Sequence, residues 1–174
     1  GLLSHLALKE KGFNLGNPSK FLDSQKIKSN KFFKNALKDS ENIMTPVDLA
    51  LSAFGSRDEI RLKDFPVYQS IFDLGEKTII GYANLIKKSK VVFFKGLPGN
   101  YKEENFHNGT ETLLKALQET TADVYVVGKE TSEALQHFKI DTKNFKHVSE
   151  HSEASLTFLN KGTLPVLDLL KEKI

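Results

Sequence analysis

An apolar run, Val91-Val92-Phe93-Phe94, stops at Lys95 in a loop with two glycines and a proline, Gly96-Leu97-Pro98-Gly99-Asn100-Tyr101. No other stretch limits the fold of this chain as strongly. β-Branched and aromatic residues running into small, turn-forming residues are the pattern of a buried parallel strand whose loop floors a ligand crevice. About thirty residues on, Asp123-Val124-Tyr125-Val126-Val127-Gly128 repeats the pattern, and Lys129-Glu130-Thr131 open a helix. Two such strand ends in one sheet point to a nucleotide or phosphate site.

The 174 residues, 39% of them hydrophobic, suffice for one core, so a single unit over residues 1–174 is expected. Cysteine is absent, which leaves the fold without disulfides and makes a reducing compartment, cytoplasm or an organelle matrix, the expected setting. Neither a long uncharged apolar run nor a signal-peptide pattern is present, so the sequence argues for no membrane span. A net charge of +3, from 25 basic and 22 acidic residues, is too small and too mixed to argue for nucleic acid. The lysines of 26–34 and 87–90 lie among or after Ile27, Phe32, Phe33, Leu85 and Ile86, as on the solvated faces of amphipathic helices.

Gly1 to Leu8 is apolar at helical spacing with no polar lead-in, so the helix reads as cut and the chain as incomplete at its N-terminus. Lys11-Gly12 stops that helix, Asn14 to Pro18 is a loop, and Ser19 stands where it would cap the next segment. Lys20 to Lys38 reads as an irregular helical region with room for two short helices. Asn42 to Leu51 reads as a strand with Pro46 at an edge or bulge, Gly55 to Asp58 as a turn, and Glu59 to Leu62 as a returning partner. Next come a strand at Ser70 to Leu74 and a helix with an apolar stripe from Ile79 to Ile86. Strand 90–95, helix 108–119, strand 123–127, helix 130–138, strand 145–148 and helices 153–160 and 165–172 complete the order. That alternation predicts right-handed crossovers in an α/β fold, a Rossmann-like layered, mostly parallel sheet with helices on both faces.

In this order the motifs resemble the carboxyl-terminal, nucleotide-binding half of phosphoglycerate kinase over nearly the whole chain. Met44-Thr45-Pro46-Val47-Asp48 resembles the family's Leu-Pro-Val-Asp, and Phe72-Asp73-Leu74-Gly75-Glu76-Lys77-Thr78 its Leu-Asp-Ile-Gly-Pro-Lys-Thr. Phe94 to Lys102 falls on the family's Asn-Gly-Pro loop, and Gly109-Thr110-Glu111 on the Gly-Thr that follows it. Val127-Gly128-Lys129-Glu130-Thr131 stands at Gly-Gly-Asp-Thr, and Ala154 to Leu159 with Leu164-Pro165 at Ala-Ser-Leu-Glu-Phe-Leu and Leu-Pro. Around Asp64 to Tyr68 the chain is more similar to archaeal members than to bacterial ones. The resemblance implies a half that holds ADP or ATP with Mg2+, closing on another half that holds 3-phosphoglycerate. It sets Gly1 after a strand ending in paired glycines, which leaves the family's phosphate-contacting lysines and its N-terminal half to a missing segment or a companion chain.

By that likeness the nucleotide contacts are Phe72, Gly96, Pro98, Gly99, Asn100, Lys102, Gly128, Lys129, Glu130 and Thr131, with Glu130 as the metal-side carboxylate; no catalytic residue is assigned. Lys102 stands at the family's ribose-gripping glutamate, and an ammonium donates but cannot accept. Asn100 makes an aliphatic wall polar, while Phe72 keeps it able to stack. Glu130 keeps a carboxylate where the family has aspartate but moves it by about one bond length, a poor match for near-octahedral magnesium. Lys129 fills a glycine position; it and Glu130 equally suit a polar helix start. Glu150-His151-Ser152-Glu153 replaces a threonine and three glycines whose bare amides face the transferring phosphoryl group. A carboxylate about 4 Å from a phosphate charge costs roughly 4 kcal/mol at an effective dielectric near 20, on the order of a thousandfold in rate. His147 and His151 read as surface histidines. The expected function is therefore a phosphoglycerate kinase-type domain with an eroded crevice. The rivals are a catalytically dead scaffold or interaction subunit of a larger assembly, and a working divergent kinase using Lys95, Lys102 or Lys129.

Overall fold

The computed structural model describes residues 1–39 and 41–171 and falls into two units, one of Gly1–Leu85 with Pro98–Leu113, the other of Ile86–Leu97 with Leu114 onward. In the first unit, α1 (Leu2–Glu10) buries Leu6, Ala7 and Leu8 and ends as its sequence predicts, with Gly12 at φ +92°. The region from Lys20 to Lys38 forms two helices, α2 (Asn17–Ser24) and α3 (Lys31–Asp39). Ser19 is not the cap: it lies inside α2, where its hydroxyl accepts from the Leu15 N–H at 3.0 Å. The N-cap is Gly16 at φ +69°, where a Cβ would sit 1.8 Å from the Val67 carbonyl oxygen. Steric exclusion therefore sets this helix start, in place of a side-chain cap.

His5 on α1 is pushed by burial down to about 4 from its ordinary 6.5. Above pH 6.5 the ring is neutral in both the folded and the unfolded chain. Between 6.5 and about 4 the unfolded chain takes up a proton that the fold refuses, so stability falls as pH drops through that window, by about 3 kcal/mol in all. Urea midpoints measured from pH 7 to pH 4 should show this loss, and His5→Gln should flatten it; an unchanged slope in the variant would assign the loss to other groups.

β1 (Asp48–Ala53), β2 (Ser56–Arg61) and β3 (Ser70–Leu74) form an antiparallel sheet in the order β2-β1-β3. The strand expected over Asn42 to Leu51 begins only at Asp48. Pro46 has no N–H, and the Val47 N–H goes to the Thr78 hydroxyl at 3.0 Å. The turn expected at Gly55 to Asp58 is a tight hairpin at Phe54-Gly55, with φ +51° and +82°, and β2 starts at once at Ser56.

α4 (Glu76–Lys88) and α5 (Asn108–Glu119) run through the boundary between the units. In the second unit, β4 (Val91–Lys95), β5 (Asp123–Val127) and β6 (His147–Ser149) pair in parallel, with Phe93 opposite Tyr125 and Tyr125 opposite His147. α6 (Lys129–His137), α7 (Ser152–Lys161) and α8 (Pro165–Lys171) follow; Glu172, the last residue of the expected final helix, lies outside the described residues. The α/β fold with a parallel sheet stands as expected. Its parallel part is β4-β5-β6, while the earlier strands make a sheet of their own, since a two-residue hairpin cannot serve as a parallel crossover. β5 is the buried centre, with Val124, Val126 and Val127 at 0–1% exposure. β4 was expected to be buried too, but it is an edge strand with β5 as its one neighbour among the described residues, and Val91 and Phe93 are 62% and 37% exposed. No helix among the described residues is long and apolar enough to cross a membrane.

Candidate functional site

In the first unit, motifs far apart in sequence hold one another in place. Asp48 is 5% exposed, and its carboxylate accepts from the Lys77 and Thr78 N–H groups at 3.0 and 2.9 Å, in the first turn of α4. The Gly75 N–H donates back to the Asp48 carbonyl at 3.1 Å, and a Cβ on Gly75 would lie 2.3 Å from the Asp48 Cγ. Pro46-Val47-Asp48 and Gly75 to Thr78 are thus two halves of one helix cap, a negative group at a helix N-terminus supplied from another strand.

Asp73 plays the matching part for the 98–109 loop. Its side chain is fully buried; Oδ2 accepts from Arg57 Nη1 at 2.9 Å and from the Gly109 N–H at 2.8 Å, and Oδ1 from the Leu74 N–H at 2.8 Å. Burial pushes this carboxyl above its ordinary range, and the Gly109, Arg57 and Leu74 donors hold the rise in check. Arg57 also donates to the carbonyls of Leu74 and Asn105, at 2.7 and 3.2 Å, and pairs with Glu59 at 2.9 Å. A Cβ on Gly99 or Gly109 would fall 2.3 or 2.2 Å from Asp73 Oδ1, so both glycines are required by the carboxylate they enclose. Of the predicted contacts in this unit, Phe72 meets Phe106 edge-on at 5.1 Å, and its carbonyl accepts the Asn100 N–H at 2.7 Å. Pro98 is partly buried, Asn100 and Lys102 are exposed, and the Lys102 ammonium lies 5.9 Å from the Tyr101 ring. Asp73 and Arg57 were missed as a pair. The available signal was an acid inside an apolar strand, which is seldom buried unless matched.

In the second unit, the carboxyl ends of β4, β5 and β6 bring together Gly96, the Gly128 to Thr131 turn, and the Ser149 to Glu153 turn. Gly96 and Gly128 hold φ of +80° and +114°, conformations that L-residues rarely adopt. The Gly96 N–H donates to the buried Thr131 hydroxyl at 3.3 Å, and the Gly128 N–H to the Ser149 carbonyl at 2.8 Å. A Cβ on Gly128 would meet the Ser152 hydroxyl at 3.2 Å. α6 opens with exposed Lys129 and Glu130, and α7 has His151 as its N-cap, without a side-chain cap bond. Two helix N-termini at one edge of a parallel sheet favour an anion through their free N–H groups and partial positive charge. The exposed carboxylates of Glu130, Glu150 and Glu153 stand on the same turns and act against it. His147 and His151 line an apolar hollow of about 690 Å³ with Phe93, Tyr125 and Phe158. Among the described residues no three metal-ligating side chains gather.

The sequence model of the phosphoglycerate kinase family matches residues 1–162. Among curated proteins, the phosphoglycerate kinase of Methanothermus fervidus is 33% identical, covering 99% of this chain and 42% of its own length. That of Thermococcus sibiricus is 31% identical over 98% of this chain and 43% of its own. The crystal structure of phosphoglycerate kinase from Pyrococcus horikoshii superposes with a TM-score of 0.83 at 28% identity, over 98% of this chain and 44% of that one. The chain therefore spans less than half the length of the relatives it matches.

Proposed function

The chain belongs to the phosphoglycerate kinase family, and on that premise we propose that it keeps the family's adenine-nucleotide contacts in eroded form. It binds ADP or ATP weakly, and phosphoryl transfer between 1,3-bisphosphoglycerate and ADP is slowed or lost. What supports this is the carboxyl edge of β4-β5-β6. Gly96 and Gly128 keep the backbone shape that phosphates need, and Thr131 stays tied into it. Lys129 supplies one positive charge, and Glu130 offers a carboxylate to magnesium, which when bound would neutralise charge on the phosphates. Against these stand Glu150 and Glu153, which set negative charge on turns where an incoming anion needs bare amides.

Titration of the protein with magnesium ADP, read by heat and by thermal shift, tests the proposal. The expected dissociation constant is on the order of 0.1–1 mM, about −5 kcal/mol. Micromolar affinity with turnover would instead make this a working divergent kinase. The opposite outcome, no heat and no shift at several times that concentration, supports a second reading as an interaction subunit. Its motivation is exposed apolar surface: Leu159, Val166 and Leu169 on α7 and α8 are 62%, 66% and 60% exposed.

A further inference from the structure

Residues 24–38 hold five lysines, Lys26, Lys28, Lys31, Lys34 and Lys38, and no acid, while the whole chain carries a net charge of only +3. The rest of the molecule is therefore net negative, and the excess positive charge is gathered on α3 and the loop before it. Lys26, Lys28, Lys31 and Lys38 are exposed and join no ion pair among the described residues. Beside Lys31 stands Phe32, which is 82% exposed and meets no other ring among the described residues. None of the residues assigned above to the nucleotide belongs to this patch.

The fold holds the patch in shape. Lys26 closes α2 at φ +53°, its N–H donating to the Asp23 carbonyl at 3.0 Å and the Ile27 N–H to the Leu22 carbonyl at 2.9 Å. Asn30 then caps α3, its Oδ1 accepting the Phe33 N–H at 2.8 Å. The Glu10 carboxylate on α1 accepts from the Ser29 hydroxyl and pairs with Lys34 at 3.5 Å, which ties the loop and the helix to α1. α3 lies against α1 with Phe33, Ala36 and Leu37 half-buried, and Lys31, Lys34 and Lys38, three and four residues apart, share another face. Two partners carry the matching negative charge, a nucleic-acid strand and an anionic lipid surface. A strand is gripped by rows of aromatic rings and by arginine forks, whereas residues 24–38 offer one exposed ring and no arginine. Clustered lysines on an amphipathic helix with a free aromatic side chain suit a bilayer, where ammonium groups meet the headgroups and the ring enters the boundary beneath them.

We propose that α3 and the loop before it dock on an anionic lipid surface, with Lys26, Lys28, Lys31 and Lys38 on the headgroups and Phe32 as the apolar anchor. The inference is independent of nucleotide binding. Co-sedimentation of the protein with vesicles tests it. Phosphatidylcholine vesicles with about 30% phosphatidylserine should bind at least about tenfold more tightly than phosphatidylcholine alone, and added potassium chloride should weaken the binding. Each lysine near such a surface is worth about fivefold in affinity, so Lys28→Glu with Lys31→Glu should weaken binding by more than about tenfold. Glutamate in the first turn of α3 favours the helix, so that loss does not report unfolding, and Lys28→Arg with Lys31→Arg should bind as the native chain does. The chain has no tryptophan, so Phe32→Trp supplies a single reporter whose emission should shift to the blue on the anionic vesicles. Equal binding to the two kinds of vesicle, a charge-reversal variant that binds like the native chain, or an emission that does not move would each overturn the proposal. So would an equal loss from Lys139→Glu with Lys161→Glu, exposed lysines elsewhere, which would assign binding to net charge alone. Tighter capture by a single-stranded oligonucleotide than by the anionic vesicles would overturn it in favour of nucleic acid.

Discussion

Asp73→Ala is expected to lower stability by about 3–5 kcal/mol, the cost of removing one partner from a buried ion pair. The carboxylate is fully buried, and its loss orphans three donors at once. Arg57, with its side chain 18% exposed, retains Glu59 and two carbonyls, so its share is moderate. The N–H groups of Gly109 and Leu74 retain nothing, and each buried orphan costs about 1–3 kcal/mol. The void is also awkward to refill, because Gly99 and Gly109 close on the carboxylate as bare backbone and bring no side chain to collapse inward. Asp73→Asn, which keeps the shape and one acceptor, should fall between the native chain and the alanine variant. Asp58→Ala, an exposed acid on β2, should stay within about 0.5 kcal/mol. Urea unfolding of the three variants checks the order; an alanine variant at 73 no worse than the one at 58 would mean the buried pair is dispensable.

This pair also marks where sequence reading succeeds and where it stops. β5 was legible because its pattern is local: valines flanking Tyr125, bounded by Asp123 and Gly128. The strand ends at Gly96 and Gly128 were legible because a positive φ leaves a mark on residue type. The exposure of β4 was not, since an apolar run states what a strand can bury and leaves open how many neighbours it has. The hairpin was legible but its turn was set too late: the turn sits at Phe54-Gly55, where an aromatic residue takes a position usually given to asparagine or glycine and the sheet overrides local preference. Gly99 shows a subtler limit. The family resemblance assigns it to the nucleotide, yet a contact of 2.3 Å to Asp73 accounts for the missing side chain without any ligand. The roles of Asp48 and Asp73 depend on partners about thirty residues away in sequence, and only the fold reveals which N–H groups they meet.

Glu153→Gly with Glu150→Gly is expected to tighten magnesium ADP binding by at least about tenfold. A carboxylate 4 Å from a phosphate charge is worth roughly 4 kcal/mol at an effective dielectric of 20 and roughly 1 kcal/mol in bulk water. Both glutamates are exposed, so the lower figure sets the floor and the higher one the ceiling, about a thousandfold. The change has a structural cost. Glu153 lies in the first turn of α7, where a negative charge offsets the positive helix end by about 0.3–1 kcal/mol, and glycine there removes about as much again. The double variant should therefore melt lower while binding tighter, a pairing that better packing cannot produce. Salt separates electrostatics from shape: added potassium chloride screens a repulsion, so it should help the native chain more than the variant. Equal nucleotide affinities with parallel salt slopes would show that these acids lie outside the reach of the bound phosphates, and the weakness of the site would then rest on Glu130.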